Sequence, residues 1–359
     1  MIDASIQMGE KKCVLVLGCR GANLPRNRAL TLEDLEVLSM CIVSSFNGDI
    51  VTEMLCEVAS TVGKIISITS DRGSEIIRGV KNFQIISPDT RHIGDTAHRV
   101  SNLLEASLEK NTIWKEFRER VTQARRKMQN SLIPGALPPS PRAKARYMNV
   151  DSLIKWASDM LVLLDHGVST PDFDIDELWK YLGWLPCYRN DVVCWNRLIS
   201  IGVAARYTVR MEGIHNNIVD SFEEAISSVK MGIKELQFVD QLTKFLLDQS
   251  SGVKPGECFI GSTEVLESLF GKIKYMEREQ RAFGFTSLLL AAIATVGPTD
   301  EKTIAEAMKS VKVADLDEWT VKEIGQSVQS QRRKIKKVIA VIETKEGREV
   351  SGILERAIA

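Results

Sequence analysis

Every pattern in this chain that suits a β-strand lies in its first hundred or so residues, and the stretch from 112 to 258 carries almost none. That division limits the fold to a small sheet with helical covers, joined to a block built from helices alone. Ile2 to Ile6 and Cys13 to Leu17 are apolar runs parted by MGEKK, which contains Gly9, and they read as a hairpin. Glu36 to Ser44 suits either a strand or a helix by periodicity, and we read it as a strand. Asp49 to Thr61 has helical spacing and ends at Gly63, a suitable C-cap. A strand from Ile65 to Thr69, a short helix from Ser74 to Val80, a strand from Arg91 to Gly94 and a helix from about Thr96 to Lys110 complete the region.

Beyond it, helices are expected at Trp114 to Asn130, Val150 to Leu164, Trp195 to Tyr207 and Ile218 to Asp248. Leu132 to Pro141 (LIPGALPPSP), with four prolines and one glycine, reads as a linker or exposed loop. From Ser262 onward the pattern is helical, with breaks at Pro298 and around Asp315 to Asp317. With 359 residues and 44% hydrophobic content, there is material for two domains or for one domain with a large insertion.

Several chemistries find no support. The seven cysteines are scattered without zinc-ligand spacing, and four histidines occur without HExxH. Neither GxxxxGK[ST] nor GxGxxG is present, so a nucleotide-phosphate loop is unsupported. The N-terminus lacks the basic start and apolar stretch of a secretory signal, and no apolar run approaches bilayer length, which makes a cytoplasmic protein with no membrane partner the expectation. Net charge is zero, 47 basic against 47 acidic residues, yet Lys110 to Arg146 holds ten basic residues against Glu116 and Glu119. Within that run Arg118, Arg125, Arg126 and Lys127 crowd one expected helix, and Arg142, Lys144 and Arg146 follow. A second basic cluster, QRRKIKK, spans Gln331 to Lys337. Such clusters are commonly solvated helix faces; two in one neutral chain also fit a phosphate-backbone partner.

Three acidic residues stand out. Asp71 follows a strand in ISITSDRGSEI (Ile66 to Ile76), where Asp, Gly and Ser serve equally as turn and cap residues. Asp3 lies in the first strand, and if that strand neighbours the one before Asp71, the two carboxylates sit side by side at the sheet surface. Glu267 lies beside the apolar stripe Leu266, Leu269, Phe270 and Ile273 of a helix capped by Ser262 or Thr263, with Lys274 two turns further on. Glu264 is an alternative to it, and a solvated surface glutamate is the plainer reading. Crowded carboxylates are the ligands that hard divalent cations require.

In this order, with a helical block between the second and third acid, SDRGSEI, MIDASIQM and VLESLFGKIK resemble the signatures of DDE transposases and retroviral-type integrases, in particular insertion-sequence and hAT-superfamily enzymes. The resemblance implies an α/β fold: a ribonuclease H-like mixed sheet with flanking helices, interrupted by a large all-α insertion and followed by a helical C-terminal region. The core would comprise residues 1–111 and 259–297, the insertion 112–258 and a helical tail 298–359. Asp3, Asp71 and Glu267 would be both catalytic residues and ligands of two Mg²⁺ or Mn²⁺ ions. Arg72, Lys274, Arg118, Arg125, Arg126 and Lys127 would contact DNA phosphates. Asp95 and His98 in GDTAHRV resemble an auxiliary element of related transposases, a helix cap with a packed histidine being the other reading. The implied function is hydrolysis at transposon ends and strand transfer into target DNA, by a homodimer assembled on DNA in a bacterial cytoplasm, associated with the nucleoid.

The chain departs from the pattern twice. The glutamate-to-lysine spacing of one insertion-sequence signature is kept from Glu267 to Lys274, but Ile260 and Thr263 stand where its Tyr and Arg belong. Asp3 has two residues before it, so the resemblance implies an N-terminally truncated transposase, or a catalytically silent remnant. A ribonuclease H-like nuclease without strand transfer and a helical interaction protein are the rival readings.

Overall fold

The computed structural model describes residues 1–8, 11–26, 28–131, 133–140, 150–167, 174–279, 285–298, 300–325, 335–337 and 339. The expected hairpin forms from β1 (Ile2–Met8) and β2 (Lys11–Gly18), with Asp3 opposite Leu15 and a register shift between Asp3 and Ile6. β3 (Glu36–Val43) adds antiparallel to the far edge of β2, so the ambiguous run is a strand. Central placement of β2 explains its unbroken apolar sequence. Cys13, Leu15 and Leu17 enter one core while Val14 and Val16 enter another, because alternate side chains leave opposite faces.

α1 (Gly48–Val62) starts where the Asn47 side chain accepts from the amides of Asp49 and Ile50, and stops at Gly63, whose φ of 85° suits glycine. β4 (Ser67–Ser70), α2 (Ser74–Ile86) and β5 (Arg91–Gly94) form a strand-helix-strand unit with parallel strands. α2 runs well past Val80, where the sequence reading ended it, because Phe83 continues its buried face. β1 lies against β4, and α1 and α2 pack on Val14, Val16 and Ile68. The architecture is thus mixed α/β with small sheets: β1 to β3 in one hydrogen-bonded group, β4 and β5 in the other.

α3 (Thr96–Glu109) turns Val100, Leu103 and Leu104 toward the helical block. That block comprises α4 (Thr112–Met128), α5 (Val150–His166), α6 (Ile175–Leu182), α7 (Arg189–Glu212), α8 (Ile218–Ala225) and α9 (Ile233–Ser250). α7 crosses both of its cores: Trp195 joins Trp114 and Phe117 in one, and Ile201 and Val209 join Phe238 and Leu242 in the other. The expected helix from Ile218 to Asp248 is two helices, parted between Ala225 and Ile233. The proline-rich segment is also less free than a linker. Ile133 and Ala136 are buried, the Trp156 indole donates to the Ala136 carbonyl at 2.9 Å, and Arg125 donates to the Pro138 carbonyl.

The chain returns to the sheet through α10 (Glu264–Glu279), whose Leu266, Leu269, Phe270 and Ile273 are buried with Leu15 and Leu17 as the stripe predicts. Burying each such side chain contributes roughly 1.5–3 kcal/mol. α11 (Phe285–Ile293), α12 (Glu301–Ser310) and α13 (Val313–Trp319) follow, then a π-helical turn Thr320–Ile324. The expected break at Asp315 to Asp317 is not there. Those residues lie in α13, where Asp315 in the first turn suits the helix dipole, and the break falls at Val311 and Lys312. No helix among the described residues is long and apolar enough to cross a membrane.

Candidate functional site

Strand ends supply the first acids. Asp3 is buried near the start of β1, its Oδ1 accepting from the Ala4 amide at 2.6 Å. Asp71 follows β4 and Asp95 follows β5, and because these strands are parallel and in register from Ser67 with Arg91 to Ser70 with Gly94, both acids emerge at the same edge. They line one cavity of about 500 Å³ together with Arg72, His98, Arg99 and Lys244.

The segment from Phe259 to Thr263 brings in the next acids. Phe259 pairs with Ile214, the Thr69 hydroxyl donates to the Ile260 carbonyl at 2.6 Å, and the Thr96 amide donates to the Gly261 carbonyl at 3.0 Å. The Thr263 hydroxyl then donates to Asp95, and the Ser262 hydroxyl accepts from the Glu264 amide at 3.2 Å. α10 therefore begins directly over the ends of β4 and β5, with Glu267 one turn in. Of the two expected caps, Thr263 holds the N-cap position, its carbonyl accepting from the Glu267 amide at 3.0 Å, and also latches to Asp95, while the Ser262 hydroxyl satisfies the Glu264 amide.

Charge crowds here. Glu267 is pushed up to about 7, first by burial and then by Asp95, Asp3 and Glu264, while Arg206 opposes. Arg206 is already engaged, donating through Nε and Nη2 to Glu264 at 3.1 and 2.6 Å. The Asp95 carboxyl is also raised, because burial outweighs its bonds from Thr263 and from the Ala97 and His98 amides. Across the parallel pair, His92 Nε2 lies 2.8 Å from the Ser70 hydroxyl. Burial and then Arg72 and Lys81 push its pKa down to about 4.

The candidates divide into those brought together and those kept apart. Asp3, Asp95 and Glu264 each act on Glu267. Asp71 reaches the group through the cavity it shares with Asp95, its Oδ1 accepting from the Gly73 amide at 2.9 Å as in a plain turn. Asp95 caps α3, as one of its two readings expected, whereas His98 is exposed at the cavity rim rather than packed. Arg72 lies in the cavity. Lys274 is exposed on α10; Arg118, Arg126 and Lys127 are exposed on α4, Arg125 is tied to Pro138, and none of these five lines the cavity. Arg142, Lys144, Arg146 and the Gln331 to Lys334 part of the second basic cluster lie outside the described residues. Among the described residues, no three Asp, Glu, His or Cys side chains stand close enough to hold one metal ion between them.

Sequence reasoning missed Arg206, whose cation faces the acids from α7, and Gln249 of α9, whose carboxamide reaches the end of β5. Neither sits in a motif. No protein-family model matches the sequence, and no curated protein matches it significantly.

Proposed function

We propose that this chain is a DDE-type transposase with a ribonuclease H-like core, acting on DNA phosphodiesters with divalent metal. The observation that carries the reading is the convergence of Asp3 from β1 and Asp95 from β5 on Glu267, from a helix beyond the whole helical block, where burial and then these acids push Glu267 up to about 7. The arginine that opposes the shift of Glu267, Arg206, is already paired with Glu264. The contact of β1 with β4, outside the β1–β2 hairpin and beside β5, supports the ribonuclease H-like arrangement.

The donor set suits Mg²⁺ or Mn²⁺, because carboxylate oxygens are the ligands hard cations select and a cation would favour the ionised form of Glu267 that burial and then the neighbouring acids oppose. Asp3, Asp71 and Glu267 would be its ligands, and since no three such side chains among the described residues stand close enough to share an ion, they would have to draw together around it. Two such ions, when bound, supply Lewis acidity and lower the pKa of a water or a DNA 3′-hydroxyl. The chain's own cations do the positioning. Arg72, Arg99 and Lys244 in the cavity offer donors to the phosphate beside Asp71, and the exposed Arg118, Arg126 and Lys127 suit flanking backbone. Two copies would assemble on paired DNA ends.

The test is nicking and joining of DNA with Mn²⁺. Wild type should cut and join, and Asp3→Asn, Asp71→Ala and Glu267→Gln should each abolish both while retaining DNA binding. An Asp71→Ala chain that still nicks would sink the assignment, and cutting without joining would select the nuclease instead.

A further inference from the structure

The cavity beside Asp71 is closed on one side by the end of α9, and one side chain there makes more connections than packing needs. Gln249 is 3% exposed. Its Oε1 accepts from the Gly94 amide at 2.7 Å and from Arg72 Nη2 at 3.3 Å, while its Nε2 donates to Asp248 Oδ2 at 2.6 Å. Gly94 is the last residue of β5, directly before Asp95, and Arg72 directly follows Asp71. One carboxamide from the helical block thus touches the neighbour of each acid at the strand ends.

The bonds also meet a need of the strands. β5 pairs with β4 on one side, and Gln249 supplies the Gly94 amide with the acceptor that a further strand would have given. Leaving a buried amide without one costs about 1–3 kcal/mol. Arg72 is the only non-glycine residue among those described with positive φ, at 61°. Its side chain runs over Gly94 so closely that a Cβ there would lie 2.6 Å from Nε, and its guanidinium stands 5.9 Å from the centre of the Phe245 ring, with Asp248 Oδ2 at 3.7 Å. Strained backbone is kept where surrounding contacts over-determine it, and the contacts here come from α9.

We infer that Gln249 is a positioning residue, through which the helical block holds the Arg72 guanidinium and the end of β5 in place for a DNA phosphate in the cavity. This rests on the phosphoryl-transfer reading of the same cavity. Moving α9 moves Arg72 and the peptide before Asp95 together, so the seating of the helical block governs phosphate affinity at the strand ends.

Two measurements on the full chain test it: hydrogen exchange in the 91–97 peptide, and binding of a short fluorescein-labelled DNA duplex in Ca²⁺. Gln249→Met should speed exchange at Gly94 about tenfold and weaken DNA binding about tenfold, as expected for losing one buried hydrogen-bond acceptor. Gln249→Glu, which keeps the acceptor oxygen, should leave Gly94 protected. Arg72→Ala should weaken DNA binding by itself, and adding Gln249→Met to it should cost nothing further, since two residues acting through one contact are not additive. Unchanged exchange in Gln249→Met, or additive losses in the double variant, would overturn the inference. Should DNA bind in this pattern without ever being cut in Mn²⁺, the transposase reading falls and the role of Gln249 stands. A wild-type chain that binds no DNA removes both.

Discussion

The two sides of the acid cluster handle charge in opposite ways. On the Asp71 side, Arg72, Arg99 and Lys244 share the cavity with the acids, and Asp248 pairs with Arg72. On the Glu267 side, Asp3, Asp95 and Glu264 press on one half-buried carboxyl, and the nearby arginine is committed to Glu264. The first side carries its own counter-charge, and on the second burial and neighbouring acids favour the protonated form of Glu267. Under the proposed function, the first side would hold phosphate and the second metal.

Substitution should separate the two sides most sharply. Glu267→Gln should lower Mn²⁺-dependent cleavage on the order of a thousandfold, the scale of removing one member of a catalytic group. It should also stabilise the fold at pH 8, on the order of 1–2 kcal/mol after discounting for solvent screening, because a charge disfavoured by burial and then by its neighbours is gone. Asp71→Ala should match the lost cleavage but destabilise slightly, by about 1 kcal/mol, since the Gly73 amide loses its acceptor. Cleavage assays with thermal melts read both. Glu267→Gln that melts at the wild-type temperature at pH 8 would mean that the burial and crowding of this charge have no energetic weight.

Acidity should move the two sides in opposite directions. Glu267 is raised from 4.5 to about 7, so the folded state binds its proton more tightly than the unfolded chain. Its contribution to stability is complete below pH 4.5 and is lost as pH rises to about 7. Mg²⁺ should offset that loss, raising the melting temperature more at pH 8 than at pH 5. His92 is lowered from 6.5 to about 4, so the folded state binds its proton more weakly. Its contribution is complete above pH 6.5 and is lost as pH falls to about 4, on the order of 1–2 kcal/mol. His92→Gln should flatten the acid limb of the melting profile and leave the Mg²⁺ effect at pH 8 intact.

Much of the strand-end geometry was legible because local patterns state it. The unbroken apolar run Cys13 to Leu17, the stripe through Leu266, Leu269, Phe270 and Ile273, and Gly63 as a stop each report burial or backbone need directly. α7 was legible only in its middle. Its 24 residues pass between two cores, so both faces carry apolar groups and no single stripe marks its length. α6 is eight residues long and too short for a window to register. Gln249 and Arg206 could not be found at all, since a polar residue inside a helix shows its purpose only when the strand it reaches is in place. Asp95 was legible as a cap, and the Thr263 hydroxyl that meets it lies 168 positions away.

The basic face of α4 makes the smallest prediction, and it bears on whether DNA follows the phosphate side of the site. Arg118, Arg126 and Lys127 are exposed on a helix whose other face is buried with Trp114 and Phe117. Arg125 is committed to the Pro138 carbonyl and is left out of the test. Taking one cation away from a DNA phosphate should reduce the slope of log affinity against log salt by about 0.9. Replacing all three by Ala should therefore weaken DNA binding a few-fold at ordinary salt and lower the slope by up to about three times that amount, with the rate of metal-dependent cutting of bound DNA unchanged. Because these side chains lie outside the cavity, a slower cutting rate in that variant would mean that α4 acts on the acids through the helical block rather than on DNA. An unchanged salt slope would instead leave α4 a solvated face, and the DNA path would then be confined to Arg72, Arg99 and Lys244.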